Sequence, residues 1–208
     1  MLLMASVLLA APFANAQGAP QKSFAECVPD PAPYLALDWR NFDQGAKPDS
    51  DGGLRKEWGW RDISKKPGCT AATAELMERW SKQHASELNP SLRNWMTFHT
   101  AQLWAASGNR ARAIPMIEST YRTDDKPEWT AYLDATLAFL RNDRPGLLAA
   151  RERLLALPQP ADWAKTQAAY RAAGQEMKWP QNIEAVDQLV ACFGHTYPQG
   201  TPDGDCKP

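Results

Sequence analysis

A spacing of 34 residues between tryptophans is the feature that most constrains the fold of this chain. Trp95, Trp129 and Trp163 stand at this interval within a sequence of 208 residues. A fixed period of roughly 20 to 50 residues is the signature of repeat architectures, in which each unit buries its apolar face against the next. We therefore expect residues 95–173 to form successive units of similar structure.

Other residue types recur in the same register. An aromatic residue, an alanine and a leucine follow each of the first two tryptophans at equal offsets: Phe98, Ala101 and Leu103 in one unit, Tyr132, Ala135 and Leu137 in the next. The third unit keeps its alanine, Ala169, but has Thr166 and Arg171 at the aromatic and leucine positions. We expect the tryptophans to be core residues that pack adjacent units, and the third unit to be degenerate.

The period and the residues between the predicted helices resemble the tetratricopeptide repeat, in which helix A, a short turn and helix B form one unit. Gly108-Asn109 and Asn142-Asp143 stand at the turn, which often holds Gly-Asn or Gly-Asp in that family. The resemblance implies an all-α fold, a short solenoid of three to four helical hairpins over residues 54–193. Helix B departs from the family, because Leu147 replaces the small residue found at Ala113 and the aromatic pattern is missing.

Three further segments flank the predicted helical domain. Residues 1–16 are apolar and uncharged and end in Ala-Asn-Ala, which is typical of a signal peptide cleaved before Gln17. Residues 17–53 contain five prolines and four glycines, so we expect a mostly extended or loop segment, within which 34–42 fits either a short helix or a strand. Residues 194–208 form a C-terminal tail rich in Pro, Gly and Asp.

Four cysteines favour two disulfides in a chain that we expect to be exported. Of the three possible connectivities, we favour Cys27 with Cys69 and Cys192 with Cys206, because each pair closes a local loop at one end of the repeat. The second pair would then staple the tail to the last predicted helix. No C-x-x-C spacing is present, and we predict neither a metal site nor a cofactor.

Charge and hydropathy limit the classes of partner. The chain has 23 Lys and Arg residues against 24 Asp and Glu residues, and neither sign is concentrated in a block. This balance argues against nucleic acid and anionic membranes as partners. No later apolar run approaches the length of a membrane span, so we expect no membrane insertion and a periplasmic or secreted location. The oligomeric state is left open.

A second resemblance rests on the order of short motifs. The motifs, in order, are Phe42-Asp43-Gln44, Gly59-Trp60-Arg61, Gly68-Cys69, residues 98–108, residues 132–143 and residues 186–193. Their order is similar to the order of motifs in a group of exported proteobacterial proteins of unassigned function. This resemblance implies export and a shared architecture. It supplies no catalytic residues.

Catalytic signatures are missing from the sequence. There is no G-x-S-x-G motif, no H-E-x-x-H helix and no Gly-rich phosphate loop. His99 shares a helical face with Met96 and Leu103, which favours a buried, hydrogen-bonded histidine over a general base. The acidic and Gly-rich run 43–53 favours a solvated turn over a calcium loop. We favour a protein without enzymatic activity, although a site assembled in three dimensions stays possible.

Aromatic and arginine side chains outside the repeat positions are the candidate ligand-binding residues. The faces of Trp58, Trp60 and Trp104 are suited to stacking on a peptide side chain or a sugar ring. Arg112 and Arg151 lie in helix B and are suited to binding carboxylates, unless they belong to a solvated helical face. For the same reasons, further candidate ligand-binding residues are Trp179, Arg110, Arg144 and Arg153.

The sequence therefore predicts an exported helical-repeat interaction module that binds a protein or peptide partner in the cell envelope. An envelope enzyme or enzyme accessory acting on peptidoglycan or another glycan is the alternative, and an inhibitor of a secreted toxin is a third possibility. A shallow groove lined by Arg, Trp and Tyr would favour peptide binding. A deep pocket with two converging carboxylates, or with a histidine hydrogen-bonded to a carboxylate, would favour an enzyme.

Overall fold

Helices account for most of the described structure. The computed structural model describes residues 20–44, 47–48, 54–55, 59–172, 176–198 and 206. The predicted signal peptide and Trp58 lie outside these residues. A two-stranded antiparallel ribbon pairs β1 (Lys47–Pro48) with β2 (Leu54–Arg55), and the other regular elements of the described part are helical.

Eleven helices lie within the described residues. They are α1 (Phe24–Cys27), α2 (Ala32–Leu35), α3 (Trp39–Gln44), α4 (Trp60–Ser64), α5 (Thr70–Gln83), α6 (Pro90–Ala106), α7 (Arg110–Glu118), α8 (Pro127–Leu140), α9 (Arg144–Leu155), α10 (Trp163–Ala172) and α11 (Ile183–Ala191). None of the helices in the described part is both long and apolar enough to cross a membrane.

The N-terminal segment is more helical than its composition predicts. It contains α1, α2 and α3, and residues 34–42 lie in α2, α3 and the link between them. Local capping explains the first of these helices: Ser23 Oγ accepts a hydrogen bond from Glu26 N, while Glu26 Oε2 accepts one from Ser23 N at 2.8 Å. The segment is therefore not wholly extended or loop, because short helices form even at its prolines: Pro33 lies in the first turn of α2, where its missing N–H costs nothing.

Two of the helical hairpins have the same turn, 34 residues apart. The left-handed residue of the turn is Gly108 in α6–α7 and Asn142 in α8–α9. The residue that follows each of them donates from its backbone N–H to the carbonyl five positions earlier, at 2.8 Å in both turns, in the pairs Asn109 to Trp104 and Asp143 to Ala138. The predicted turn positions are therefore occupied by the same backbone structure.

The same turns also start the next helix in the same way. Asn109 Oδ1 accepts from Arg112 N at 3.1 Å and caps α7, and Asp143 Oδ1 accepts from Gly146 N at 2.9 Å and caps α9. Helix α7 begins at Arg110, directly after the turn, and includes Pro115.

A continuous apolar core runs from α1 through α9 to α11. In α5 the apolar face of Leu76, Met77 and Trp80 is fully buried, and Phe42 of α3 stacks on Trp80 with ring centroids 4.5 Å apart. Full burial of such a side chain stabilises the fold by about 1.5–3 kcal/mol. The N-terminal helices are therefore part of the core.

The C-terminal helices depart from a regular third unit. Helix α11 packs against both α8 and α9, and its apolar face of Ile183, Val186 and Leu189 is buried. Trp163 of α10 is buried instead against Trp179, at a ring-centroid distance of 5.2 Å, outside the main core cluster. The structure therefore places α11, and not the Trp163 helix, against the second hairpin.

Two disulfides tie the ends of the chain to the helical core. Cys27 of α1 is bonded to Cys69 at the start of α5, and Cys192 at the end of α11 is bonded to Cys206. These are the two pairs that the sequence favours. The first fixes the N-terminal helices to α5, and the second fixes Cys206 to the end of α11.

Candidate functional site

A cavity of about 330 Å³ opens between the two repeated hairpins, and we call it the inter-hairpin pocket. It lies between the start of α6, the loop before α8, the start of α8 and the residues that precede α11. Trp95 and Trp129 line it. A volume at the lower end of the range of small-molecule sites suits a single side chain or one ring.

The repeat tryptophans do not share the core position that the spacing predicts. Trp95 is 42% exposed and Trp163 is 6% exposed, while Trp129 is half-buried. Phe98, one turn after Trp95, takes the buried position instead and packs on Trp129 with ring centroids 4.9 Å apart. The prediction that the repeat tryptophans are core residues was therefore wrong for Trp95, because the core-facing stripe of α6 passes through Phe98.

Charged residues from the loop before α8 form one side of the pocket. Arg122 is held in a two-point ion pair, with its Nε 2.9 Å from Asp124 Oδ1 and its Nη2 3.1 Å from Asp124 Oδ2. The backbone N–H of Arg122 donates to Asp125 Oδ2 at 2.8 Å. Lys126 and Glu128 complete this charged side. The loop is thus fixed by its own acidic residues.

Neutral polar residues line the opposite parts of the pocket, namely Ser91, Asn94, Gln181 and Asn182. Asn94 Nδ2 donates to Thr120 O at 3.0 Å, which joins α6 to the end of α7. Gln181 Nε2 lies 3.2 Å from Met177 Sδ. These internal contacts hold two of the amides in place beside the indole rings.

A buried carboxylate lies behind the pocket. Asp43, at the end of α3, is 1% exposed and accepts hydrogen bonds from Trp60 Nε1 at 3.0 Å, Arg61 Nη2 at 3.1 Å and Trp95 Nε1 at 3.2 Å. Arg61 Nε also donates to Asp43 O at 2.7 Å. A buried charge is stable only when it is paired and hydrogen-bonded, and these donors meet that requirement.

The Asp43 network, consisting of Asp43, Trp60, Arg61 and Trp95, gives the exposed indole a fixed position. One edge of Trp95 is hydrogen-bonded to the buried carboxylate, and its ring also forms part of the pocket wall. The expectation that residues 43–53 form a solvated turn was wrong for Asp43. Its burial comes from partners 17 to 52 residues away in the sequence.

His99 lies against the other side of the network. Its ring contacts Trp95 edge to face at a centroid distance of 4.3 Å, and its Nδ1 is 3.0 Å from Gln102 Oε1. Burial, reinforced by the nearby positive charge of Arg61, lowers the pKa of His99 to about 4. His99 is therefore neutral at pH 7, as a buried, hydrogen-bonded histidine.

The hydrogen bonds of Gln102 define which His99 nitrogen carries the proton. Gln102 Nε2 donates to Tyr132 OH at 3.0 Å and to Tyr197 OH at 3.1 Å. Its Oε1 is then the acceptor for His99 Nδ1–H, and no atom of the described residues is hydrogen-bonded to the buried His99 Nε2. The polar chain connects α6 to α8 and to the C-terminal segment.

Three of the predicted ligand-binding residues are engaged within the fold. Trp60 is 5% exposed in the Asp43 network. Trp104 and Arg112 lie together, with the guanidinium carbon 3.9 Å from the ring centroid. Glu78 accepts from Trp104 Nε1 at 2.8 Å and from Arg112 Nη2 at 2.6 Å. These contacts join α5, α6 and α7.

The other predicted residues in the described part of the chain also make intramolecular contacts. Arg151 Nε donates to Asp187 Oδ1 at 2.6 Å and connects α9 to α11. The others are used as follows: Arg110 donates to His195 O, Arg144 lies over the ring of Phe193, Arg153 pairs with Asp134, and Trp179 donates to Leu157 O. The structure thus brings Trp104 and Arg112 together, but it does not collect the predicted residues into one site.

The pocket residues were not selected by the sequence, although one signal pointed to them. The 34-residue spacing singled out Trp95 and Trp129, and only their exposure distinguishes a pocket wall from a core position. Within the described residues, no three His, Cys, Asp or Glu side chains are grouped as a metal site. Comparisons with protein-family models, curated proteins and solved structures find no match for this chain.

Proposed function

We propose that this protein is an exported binding module of the cell envelope, built as a short tetratricopeptide-like solenoid, that binds a protein or peptide partner in the inter-hairpin pocket. The observation that carries the proposal is the exposed indole of Trp95, which is hydrogen-bonded to the buried Asp43. An indole that is already ordered loses little conformational entropy when a partner packs on it. Tryptophan is also among the residues that contribute most to binding energy at interfaces.

The repeated turns support the solenoid part of the proposal. Gly108 and Asn142 have the same role in hairpins 34 residues apart, which is the period of the tetratricopeptide repeat. Stacked hairpins create extended surfaces that bind peptides. Helix α11 and the disulfide between Cys192 and Cys206 cover the end of the second hairpin.

Two disulfides and the apolar residues 1–16 support export. Disulfides persist in oxidising compartments, such as the bacterial periplasm and the extracellular space. The apolar segment with its Ala-Asn-Ala ending supplies the expected targeting signal.

The titratable groups beside the pocket support binding more than proton transfer. His99 is neutral and enclosed behind Trp95, and Asp124 is paired with Arg122. A general acid or base must lie within hydrogen-bond reach of the reacting atom and have a pKa near the working pH. The pKa of His99 is about 4, well below that range.

Glycan binding is a second candidate, and the amides of the pocket favour it. Asn94, Gln181 and Asn182 line the same cavity as the two indoles. Indole faces and planar polar side chains together suit a sugar ring, which has apolar C–H faces and hydroxyl groups around its edge.

A peptide-selection experiment separates the two candidates. The oxidised protein is used to select from a displayed random peptide library, and the recovered peptides are titrated against wild type, Trp95→Ala and Trp129→Ala. Trp39→Ala is the matched control, because Trp39 is 37% exposed on α3 and does not line the pocket. We expect at least about a tenfold loss of affinity in the two pocket variants and no change in the control.

Two results would contradict the proposal. Recovery of peptides whose affinity is unaffected by Trp95→Ala and Trp129→Ala would exclude the pocket as their site. Failure to recover peptides, together with co-sedimentation on purified peptidoglycan that Trp95→Ala abolishes, would establish the glycan candidate instead.

A further inference from the structure

Two tryptophans outside the pocket are each covered by an arginine of the same chain. The guanidinium carbon of Arg61 lies 4.1 Å from the ring centroid of Trp60, and that of Arg112 lies 3.9 Å from the ring centroid of Trp104. Such cation–π contacts are strongest with tryptophan. Each pair is also completed by a carboxylate.

The carboxylate has the same two contacts in both cases. Asp43 accepts from Trp60 Nε1 and from Arg61, and Glu78 accepts from Trp104 Nε1 and from Arg112. The fold therefore builds an indole–arginine–carboxylate group twice. In both groups the acid orients the ring and neutralises the cation that covers it.

The inter-hairpin pocket also brings indoles and carboxylates together, although the Nε1 of Trp95 donates to the buried Asp43 and not to a carboxylate of the pocket. Trp95 and Trp129 line it together with Asp125 and Glu128. Within the described part of the chain, no arginine is stacked on either of these rings, and the neighbouring Arg122 is held by its ion pair with Asp124. Among the described residues, no cationic side chain takes the position over these rings that Arg61 and Arg112 take in the two groups.

The charges of the pocket favour a cation in that place. Three acidic and two basic residues line it, and Arg122 and Asp124 neutralise each other. Asp125 and Glu128 are partly buried, whereas Lys126 is exposed and extends its charge into water. Charges that are less hydrated are screened less, so the two carboxylates dominate the potential inside the pocket.

We propose that the inter-hairpin pocket binds a lysine or arginine side chain of the partner peptide, which lies against Trp95 and Trp129 and pairs with Asp125 and Glu128. This inference rests on the proposed function and names the side chain that the pocket selects. An acidic side chain would face these two carboxylates without a free arginine to receive it. A neutral sugar would gain the ring contact but nothing from the charges.

Matched short peptides test the charge requirement. Blocked pentapeptides of the form Gly-Gly-X-Gly-Gly, in which X is arginine, citrulline or glutamate, are titrated into the oxidised protein while the indole N–H resonances of Trp95 and Trp129 are followed by NMR. Citrulline has nearly the shape of arginine without its charge. We expect the arginine peptide to shift both resonances, the citrulline peptide to bind at least about fivefold more weakly, and the glutamate peptide not to bind.

Substitutions of the charged residues that line the pocket should change the affinity for the arginine peptide in opposite directions. Asp125→Asn and Glu128→Gln should each weaken binding of the arginine peptide by about three- to tenfold, because each removes an attractive charge. Lys126→Gln should strengthen it by about two- to threefold, because it removes a repulsive one. Asp162→Asn, which removes a charge from the exposed segment before α10, is the control and should have no effect.

Equal binding of the arginine and citrulline peptides, or weaker binding in Lys126→Gln, would overturn the inference. If peptides recovered from the library still bind in a manner that depends on Trp95, the proposed function stands and only the requirement for a basic side chain falls. If none of the pentapeptides or library peptides shifts the Trp95 resonance and N-acetylglucosamine oligomers do, both proposals fall.

Discussion

Asp43 is the residue on which most of the structure around the pocket depends. Its carboxylate is 1% exposed and receives donors from α4 and α6, namely the indoles of Trp60 and Trp95 and the guanidinium of Arg61. It joins the N-terminal helices to the hairpins and orients the exposed indole. A change at this position should therefore affect stability and binding together.

Asp43→Asn should lower the free energy of unfolding by roughly 2–3 kcal/mol, because it removes the charge that pairs with Arg61 and turns one acceptor into a donor. This loss of unfolding free energy is smaller than the loss when a fully buried ion pair is broken, because the side chain of Arg61 is 42% exposed. Urea unfolding at pH 7 measures it, with Asp162→Asn expected within about 0.5 kcal/mol of wild type. Equal midpoints for Asp43→Asn and wild type would show that the network does not stabilise the fold.

The sequence reveals little of this network because its contacts are tertiary. Asp43 stands beside a Gly- and Asp-rich run that is typical of solvated turns, and its partners lie up to 52 residues away. Helical periodicity correctly placed His99 on an apolar face, since that pattern is local. Trp95 is exposed because a different stripe of α6, the one through Phe98, faces α8. Repeat spacing does not specify which stripe of a helix faces its neighbour.

His99 should make the protein less stable in mild acid. Its pKa is about 4 in the folded state because of burial and the charge of Arg61, against about 6.5 when unfolded. The unfolded chain therefore takes up the proton first, and the stabilisation that is complete above pH 6.5 is lost as the pH falls towards 4. By pH 5 the loss should be roughly 2 kcal/mol relative to pH 7.

A His99→Gln variant isolates this contribution. Gln cannot be protonated in this range and keeps a polar group near Gln102, so the difference in unfolding free energy between wild type and variant should shrink as the pH falls from 7 to 5. Chemical denaturation at several pH values measures the difference. A constant difference across this range would mean that His99 titrates alike in the folded and unfolded states.

At the scale of single elements, the turns were the most predictable parts of the fold. Gly108-Asn109 and Asn142-Asp143 contain the left-handed residue and the cap that each hairpin uses, and both requirements are local. The arrangement of the last helices was not predictable in this way. Trp163 continues the spacing, yet α11 is the helix that packs on α8 and α9, because helix packing depends on contacts between distant segments.

Two glycines with left-handed backbones should respond differently to alanine. A Cβ at Gly108 (φ 88°) meets nothing within 4 Å, so Gly108→Ala should cost only the backbone strain, about 1 kcal/mol. A Cβ at Gly59 (φ 108°) would lie 2.2 Å from Phe42 O, a backbone atom next to Asp43. Gly59→Ala should therefore cost at least about 2 kcal/mol more than Gly108→Ala in thermal or urea unfolding. Equal losses of unfolding free energy in the two variants would show that the backbone at the contact between α3 and α4 can move to accommodate the added Cβ.

At the scale of the whole molecule, the N-terminal helices support one wall of the inter-hairpin pocket. They reach the pocket through Asp43, and the disulfide between Cys27 and Cys69 fixes them to α5. The disulfide pairing was predictable from the positions of the four cysteines, because the correct pairs are the ones that close local loops. The role of the first disulfide was not, since it depends on the burial of Asp43.

Removal of the two disulfides should therefore have different consequences. The first closes a loop of 42 residues and the second a loop of 14, so chain entropy predicts losses of about 4 and about 3 kcal/mol for the paired Cys→Ser variants. Only the variant without the Cys27–Cys69 bond should also bind the arginine peptide more weakly under native conditions, because it frees α1 to α3 and with them Asp43. The variant without the Cys192–Cys206 bond is its control. Equal binding by the two variants would show that the non-covalent contacts of α3, led by Phe42 on Trp80, are sufficient to hold the pocket in shape.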